Sequence, residues 1–298
     1  YWRMTRPGFL SITLVGCLLG FALAAACGCG FDVTLAVVTV VLALLAHAGA
    51  NVLNDYHDAR NGADAANAQG IFPFTGGSRL IQQGLVSEED THRWAWVLIG
   101  LVVLGGLWLS VRSGGGLVLI GLAGVLLAWA YSAPPLKLMS RGLGELSVAA
   151  AWWLVVVGAD YVQRQHWHFI TAYTAVGFAL LVANILLING LPDAPSDRAV
   201  GKRTLATRLS PRGLAVLYTG LMLAAHLWLA VGVWALVPPL SAIWGLLSLP
   251  TGLAACVLLW QRAGEPHRLR PVLALTIATA SVHGLAMAAG LLSMRWGV

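Results

Sequence analysis

Acidic and amide side chains cluster in two polar stretches, each of which directly follows a long apolar run. The first stretch covers residues 51–64 and the second covers residues 189–203. The carboxylate and amide side chains of interest in them are Asn54, Asp55, Asp58, Asp64, Asn189, Asp193 and Asp197. Ionisable groups at membrane depth are costly to bury, so they indicate a functional site. Because basic residues lie beside these oxygen ligands, the two stretches predict a site for a magnesium-bound phosphate compound.

The spacing within the stretches predicts that their side chains share a helical face. Asn54 and Asp58 are four residues apart, and Asp193 and Asp197 repeat that spacing. Residues four apart lie on the same side of a helix. The two side chains of each pair should therefore point in the same direction.

Two features interrupt this helical pattern. Asp64 follows Gly62 and needs a turn to come back to the first cluster. Pro192 and Pro195 fall inside the second cluster. Because proline removes a helical hydrogen bond, we expect a broken or loosely wound segment there.

Basic residues near the clusters are candidates to hold the oxygens of a diphosphate. They are Arg60, Lys137, Arg141, Lys202 and Arg203. Arginine can bind such oxygens in bidentate fashion. The alternative is that these residues only set the orientation of the protein in a membrane.

The longest polar connection, residues 65–92, is the third candidate element. Its glycine-rich part, residues 72–79, could offer backbone N–H groups to an anion. Ser87, with Asp90 three residues later, is predicted to cap a helix. We therefore interpret the acids at 88–90 as capping residues.

The elements that must position these residues are predicted to be membrane helices. Of 298 residues, 58% are hydrophobic and 10% are charged, whereas a soluble domain has about 25% charged residues. The apolar runs have the length of membrane helices and lack the alternation of barrel strands. The predicted fold class is all-α, a single domain over residues 1–298 with nine transmembrane helices around a central cavity and a cytoplasmic cap made by 65–92 and 189–212. The nine spans are roughly 8–26, 33–54, 94–112, 116–132, 143–161, 168–190, 213–236, 239–260 and 271–294.

The distribution of basic residues predicts the orientation. With the N-terminus inside, fifteen of the 18 basic residues lie on the inner side. The outer side keeps Arg112, Arg164 and Arg295. The positive-inside rule then predicts a multi-pass protein of the inner (plasma) membrane, with the N-terminus and both acidic clusters cytoplasmic and the C-terminus outside. No basic-aromatic tract points to nucleic acid as a partner.

Several other residues are expected to be structural. The four cysteines are too sparse for a zinc site, so we expect them to be core residues. They are Cys17, Cys27, Cys29 and Cys256. Trp152 and Trp153 are interpreted as interfacial anchors. His226 and His283 are expected to be hydrogen-bonded core residues. We also expect the first span to be retained rather than cleaved as a signal peptide, and residues before Tyr1 to be missing.

The motifs resemble those of the UbiA superfamily of intramembrane prenyltransferases. Residues 54–58 resemble the first aspartate-rich motif of that family, and Asp193 to Asp197, with 198–209, resemble the second. Further stretches similar to the family are 5–7 and 131–137, so the resemblance spans the chain. Residues 54–64, 75–78 and 201–205 look most like the 1,4-dihydroxy-2-naphthoate polyprenyltransferases of menaquinone synthesis. One departure is Pro195, where many of those relatives carry an extra acid.

The resemblance implies Mg²⁺-dependent transfer of a polyprenyl group from its diphosphate to an aromatic acceptor, 1,4-dihydroxy-2-naphthoate or a related quinone precursor. It implies catalytic roles for Asn54, Asp58, Asp193 and Asp197, with Asp55 and Asp64 as further metal ligands. It also implies a substrate cavity that includes Arg6, Tyr131 and Asn189. Mg²⁺ would neutralise the departing diphosphate. A dry chamber would protect the allylic cation, and Tyr131 or Trp129 could stabilise it.

Two other functions remain open at this point. A cyclase of the same superfamily would ionise the same diphosphate without an aromatic acceptor. A secondary transporter would also place charges in a helical bundle, but near mid-membrane. The charges here are predicted at one interface, which favours the transferase.

Overall fold

The described part of the chain forms nine apolar helices. The computed structural model describes residues 1–28 and 30–293. Within these residues, eight helices are long and apolar enough to cross a membrane, and a ninth is shorter. The helices are α1 (Pro7–Ala26), α2 (Val33–Asn61), α3 (Glu88–Ser113), α4 (Gly116–Ser132), α5 (Gly144–Arg164), α6 (Phe169–Ala199), α7 (Pro211–Trp234), α8 (Leu240–Arg262) and α9 (Arg270–Ser293). The predicted all-α, nine-span fold is confirmed.

Single residues determine where the helices next to the first acidic cluster begin and end. α2 continues to Asn61, so the whole of the first cluster up to Asp58 is helical. Gly62 ends the helix with a φ of 82°, a left-handed conformation that glycine adopts without steric cost. Ser87 caps α3, where its hydroxyl oxygen accepts a hydrogen bond of 3.0 Å from the N–H of Asp90. That cap agrees with the prediction.

The second cluster lies on an unbroken helix. We predicted a break near Pro192 and Pro195, and this was wrong, because α6 runs through both prolines to Ala199. Prolines are tolerated in membrane helices where neighbouring groups satisfy the freed carbonyls. The i, i+4 spacing of Asp193 and Asp197 therefore survives.

The bundle is packed around α1 and α6, which are the most buried spans. In their apolar segments 67% of the residues of α1 and 72% of those of α6 are buried, against 28% for α2 and α3. Small residues allow the close approach of helices in membranes. At Gly20 of α1, a Cβ would lie 2.4 Å from the carbonyl oxygen of Val156 in α5. The backbones of α1 and α5 are therefore in direct contact.

A buried polar group joins α7, α8 and α9. α8 begins as a 3-10 helix, Leu240–Ser248. The imidazole of His226 contacts the carbonyl of Met222 and the hydroxyl of Ser248, both at 2.8 Å, and that of His283 contacts the carbonyl of Gly245 at 3.1 Å. The prediction that both histidines are hydrogen-bonded core residues is confirmed.

The cysteine prediction holds only in part. Cys17 and Cys256 are buried with free thiols, as expected. Cys27 is exposed and disulfide-bonded, so its placement in the core was wrong. It follows the last turn of α1, where the chain leaves the bundle. Cys29 lies outside the described residues.

The close contact at Gly20 predicts a sensitive position. We expect Gly20→Ala to lower the free energy of unfolding by about 1–3 kcal/mol, because the new methyl group must push α5 away. At Gly220, on α7, an added Cβ would meet no atom within 4 Å, so Gly220→Ala should leave stability unchanged or raise it. Thermal unfolding midpoints in detergent would check both. Equal midpoints for the two variants would contradict the packing described.

Candidate active site

The two acidic clusters meet at one polar cavity where α2 and α6 end on the same side of the bundle. This polar cavity has a volume of about 110 Å³. α2 contributes Asn54 and Asp58, and α6 contributes Asn189, Asp193 and Asp197. The remaining polar lining residues are Arg6, Asp64, Asn67, Thr75, Tyr131, Glu145, Ser196, Lys202 and Thr204.

The Lys202 ammonium bridges the two clusters. Its nitrogen lies 2.6 Å from a carboxylate oxygen of Asp58 on α2 and 3.2 Å from one of Asp197 on α6. Lys202 is only 6% exposed. Burial by itself lowers the pKa of the ammonium, but Asp58 and Asp197 raise it above its usual value. Lys202 is therefore charged and is the local counter-ion of both helices.

Asp193 is held by neutral donors from the long polar connection. The side-chain amide of Asn67 donates to one carboxylate oxygen at 2.7 Å. The backbone N–H of Gly76 donates to the other at 3.2 Å. The glycine-rich loop thus offers its N–H to an anion, and the anion that it reaches here is a carboxylate of the protein.

Gly77 lets the same loop approach Asp64. Its φ is 72°, and a Cβ there would lie 2.9 Å from a carboxylate oxygen of Asp64. A side chain at this position would be strained and would also collide with the acid. Gly76 and Gly77 therefore allow the loop backbone to pack directly against the acidic residues.

Acidic groups outnumber basic groups in the polar cavity. Among the described residues, its lining contains five carboxylates, from Asp58, Asp64, Glu145, Asp193 and Asp197, and two cations, from Arg6 and Lys202. Burial, followed by repulsion from Asp58 and Asp55, raises the pKa of Asp64 to about 8. Burial and this repulsion therefore disfavour the charged form of Asp64. The site lacks positive charge, and a bound cation would supply it.

The donor types in the polar cavity fit Mg²⁺. The candidate ligand atoms are carboxylate and amide oxygens, which are the donors that this ion prefers. In the described part of the chain, no three acidic, histidine or cysteine side chains are grouped closely enough to hold one metal ion. The cause is local, since Lys202 occupies Asp58 and Asp197 while Asn67 and Gly76 occupy Asp193. Binding of a metal would require these contacts to be released.

Asp55 differs from the other predicted metal ligands because it does not line the polar cavity. It forms an ion pair with Arg6, and its second oxygen accepts the N–H of Ser78 at 3.2 Å. Burial lowers the pKa of the Arg6 guanidinium, but the attraction of Asp55 raises it above its usual value. Arg6 therefore points into the bundle rather than towards lipid headgroups.

The five basic residues predicted to hold a diphosphate occupy different places. Lys202 lines the polar cavity, whereas the other four are exposed and do not: Arg60, Lys137, Arg141 and Arg203. The guanidinium of Arg60 donates to the hydroxyl of Tyr56 at 3.0 Å. That of Arg141 donates to the carbonyl of Pro135 at 2.8 Å. The structure thus brings one of the five to the acidic clusters.

An apolar chamber of about 490 Å³ opens from the polar cavity into the bundle. The two spaces share five residues in their walls, which are Arg6, Asn54, Tyr131, Leu186 and Asn189. The chamber then follows α2 as far as Thr39. Asn54 and Thr39 are fifteen residues apart, so this wall is about 22 Å long. The predicted substrate-cavity residues Arg6, Tyr131 and Asn189 all lie at the junction, whereas Trp129 lines neither space.

Some lining residues were missed by the sequence analysis. Asn67 and Glu145 line the polar cavity, and His47 lines the apolar chamber. Trp152 was interpreted as an interfacial anchor, which was wrong, because it lies in the middle of α5 and also lines the chamber. No spacing signal distinguishes these residues from core residues. Only the tertiary arrangement shows which side of a helix faces a cavity.

Comparisons with known proteins give a consistent result. The profile of the UbiA prenyltransferase family matches residues 13–276. The chain is 29% identical over 303 residues to a 1,4-dihydroxy-2-naphthoate octaprenyltransferase of Escherichia coli (strain K12), and the alignment covers 98% of this chain and 94% of that relative.

Solved structures share the fold. An apo UbiA homolog from Aeropyrum pernix K1 superposes with a TM-score of 0.67 at 15% identity, over 96% of this chain and 98% of that one. A UbiA homolog from Archaeoglobus fulgidus bound to GPP and Mg²⁺ has a TM-score of 0.62 at 16% identity, over 98% of this chain and 99% of that one. Since the family profile matches most of the chain, the resemblance seen in the motifs is confirmed. The chain belongs to the UbiA prenyltransferase family and is a membrane-embedded enzyme of that family.

Proposed function

We propose that the protein transfers a polyprenyl group from its diphosphate to an aromatic acceptor, 1,4-dihydroxy-2-naphthoate, in menaquinone synthesis. The observation that carries the proposal is the junction of a carboxylate-lined polar cavity with a long apolar chamber. A polyprenyl diphosphate has the same two parts, a charged head and a hydrocarbon tail. The E. coli relative, which is named for the naphthoate acceptor, supports the choice of ring.

The residues that would hold Mg²⁺ are those that line the polar cavity with oxygen donors. They are Asn54, Asp58, Asp64, Asp193 and Asp197. Bound there, Mg²⁺ would act as a Lewis acid that neutralises the charge of the diphosphate. The GPP- and Mg²⁺-bound structure of the A. fulgidus homolog supports this cofactor. Asp55, which is paired with Arg6, would orient that cation instead of binding metal.

Lys202 and Arg6 are the cations placed to hold the diphosphate. Both line the polar cavity. A charge-assisted hydrogen bond contributes roughly 1.5–3 kcal/mol. Because the diphosphate gains negative charge as the C–O bond breaks, a contact with Lys202 would strengthen in the transition state and raise kcat. When the diphosphate binds, Lys202 would exchange its carboxylate partners for phosphate oxygens.

The apolar chamber would bind the tail and keep water away from the allylic cation. Tyr131 lies at the junction, where the cation forms, and its ring can stabilise positive charge. The electron-rich acceptor would then attack the cation and lose CO₂ to become aromatic again. Water exclusion here favours transfer over hydrolysis.

We also propose the orientation that the positive-inside rule gives. The N-terminal segment, the polar cavity and the loops at 65–87, 133–143, 200–210 and 263–269 would face the cytoplasm in the inner membrane. α9 is described as far as Ser293, which would lie on the opposite side, and residues 294–298, with Arg295, lie outside the described residues. The whole chain, 1–298, would act as one prenyltransferase domain.

The direct test of the function is product formation by the purified protein. In detergent with Mg²⁺, octaprenyl diphosphate and 1,4-dihydroxy-2-naphthoate, we expect octaprenylated naphthoquinol by mass spectrometry, and no product without the acceptor. Release of diphosphate and a cyclic hydrocarbon without acceptor would show a cyclase. Absence of any reaction with both substrates would contradict the proposed transfer.

The adjacent residues Lys202 and Arg203 give a matched pair for the diphosphate contact. We expect Lys202→Gln to lower kcat at least about tenfold, which corresponds to ~1.4 kcal/mol. Arg203→Gln should stay near the wild-type rate, because the Arg203 side chain is exposed and outside the polar cavity. Steady-state kinetics, with the thermal unfolding midpoint as a control for folding, would check this. Equal rates for the two variants would remove Lys202 from the diphosphate site.

A further inference from the structure

We infer that His47 binds an oxygen atom of the aromatic acceptor from the wall of the apolar chamber, with Thr13 and Trp152 as its supports. This inference rests on the proposed function, because it assumes an aromatic acceptor. His47 lies on α2, seven residues before Asn54. It is therefore about 10 Å along the helix from the first residue of the acidic cluster. A ring held between these two levels would lie beside the reacting end of the prenyl group.

His47 differs from three hydroxyl-bearing residues of the chamber wall. The hydroxyls of Thr39, Ser110 and Ser147 donate to carbonyls of their own helices at 2.7–2.8 Å. These groups are satisfied within their helices and offer little to a ligand. The recorded hydrogen bond of the His47 ring is made by Nδ1, to the hydroxyl of Thr13 on α1 at 2.8 Å. In the described residues, no hydrogen bond of Nε2 is recorded.

The Thr13 contact allows either direction of hydrogen bonding, and donation by the threonine hydroxyl is part of what we infer. A threonine hydroxyl needs an acceptor, and the Nδ1 atom of His47 is the only one recorded for it in the part of the chain that the structure describes. If the hydroxyl donates to Nδ1, the neutral imidazole carries its proton on Nε2. Nε2–H is then a hydrogen-bond donor on a half-buried ring that lines the chamber.

Trp152 provides a second donor next to the first. Its ring lies edge-to-face with that of His47, with centroids 4.9 Å apart and an interplanar angle of 86°. The indole Nε1–H of Trp152 is buried and has no hydrogen-bond partner among the described residues. A buried donor without a partner is destabilising. Both side chains line the chamber. A ligand in the chamber could therefore accept a hydrogen bond from the unpaired indole N–H of Trp152.

The two donors suit an acceptor ring rather than a prenyl tail. A polyprenyl tail is a hydrocarbon and has no atom that accepts a hydrogen bond. The diphosphate is proposed to bind at the polar cavity, beyond Asn54. What remains is a planar aromatic compound with hydroxyl or carboxylate oxygens, which would accept from Nε2–H and pack against the faces of the two rings.

The test separates acceptor binding from donor binding. We expect His47→Phe, which keeps a ring beside Trp152 but has no N–H, to raise the KM for 1,4-dihydroxy-2-naphthoate at least about tenfold while the KM for octaprenyl diphosphate changes less than about twofold. His47→Gln keeps a side-chain N–H and should restore most of the acceptor affinity. Thr13→Val should raise the acceptor KM, because it frees the ring to change tautomer. Thr174→Val is the matched control, because Thr174 is buried, donates to the carbonyl of Ile170 at 2.6 Å and lines neither the polar cavity nor the chamber, so it should change neither KM.

A binding measurement makes the test independent of turnover. 1,4-Dihydroxy-2-naphthoate alone should raise the thermal unfolding midpoint of the wild type and of His47→Gln, but not that of His47→Phe. If the wild type transfers normally and both His47→Phe and Thr13→Val keep the wild-type acceptor KM, the inference is wrong and the proposed function stands. If the wild type forms no prenylated naphthoate, the proposed function itself fails. A His47→Phe protein that does not fold would leave Thr13→Val to decide.

Discussion

The ion pairs of Lys202 with Asp58 and Asp197 are the constraint on which the arrangement of the site depends. Each carboxylate comes from a different long helix, and the ammonium lies between them at 2.6 and 3.2 Å. Buried charges are strongly destabilising when a partner is missing. α2 and α6 can therefore end side by side only because a cation is present between them. The loop that carries Asn67 and Gly76 stabilises the buried carboxylate of Asp193 in a similar way, by donating hydrogen bonds to it.

The negative charge of the polar cavity is only partly neutralised, and this favours the binding of a further cation. Two cations face five carboxylates among the described lining residues, and the raised pKa of Asp64 reflects the remaining repulsion. A diphosphate alone would add negative charge to a cavity already rich in it. Divalent cations reverse the sign of that interaction. The apolar chamber begins at the same five residues where the polar cavity ends, so the charged and hydrocarbon parts of the proposed substrate would be separated at the bond to be broken.

Much of this arrangement could be predicted from the sequence, because it depends on short-range rules. The i, i+4 spacing placed Asn54 with Asp58 and Asp193 with Asp197, and the membrane-length apolar runs predicted the nine spans. The turn after Gly62 was also anticipated, and its left-handed φ explains how Asp64 returns to the site. The predicted break at Pro192 and Pro195 was wrong, because α6 continues through both prolines to Ala199.

The rest depends on tertiary contacts that spacing does not encode. Lys202 and Arg203 are adjacent and carry the same charge, yet one is buried between two acids and the other is exposed. In a membrane helix every face is apolar, so periodicity does not show whether Trp152 or His47 faces lipid, core or cavity. Both residues line the chamber, and only the packing of α2 against α1 and α5 reveals it.

The central claim is that excess negative charge makes Mg²⁺ a requirement for binding the diphosphate head. Isothermal titration of the purified protein with geranyl diphosphate, in Mg²⁺ and then in EDTA, tests it most directly. We predict clear binding in Mg²⁺ and a loss of at least about a hundredfold in affinity in EDTA, equivalent to ~2.7 kcal/mol. Equal affinity in EDTA would contradict the account, since Lys202 and Arg6 would then suffice to hold the diphosphate.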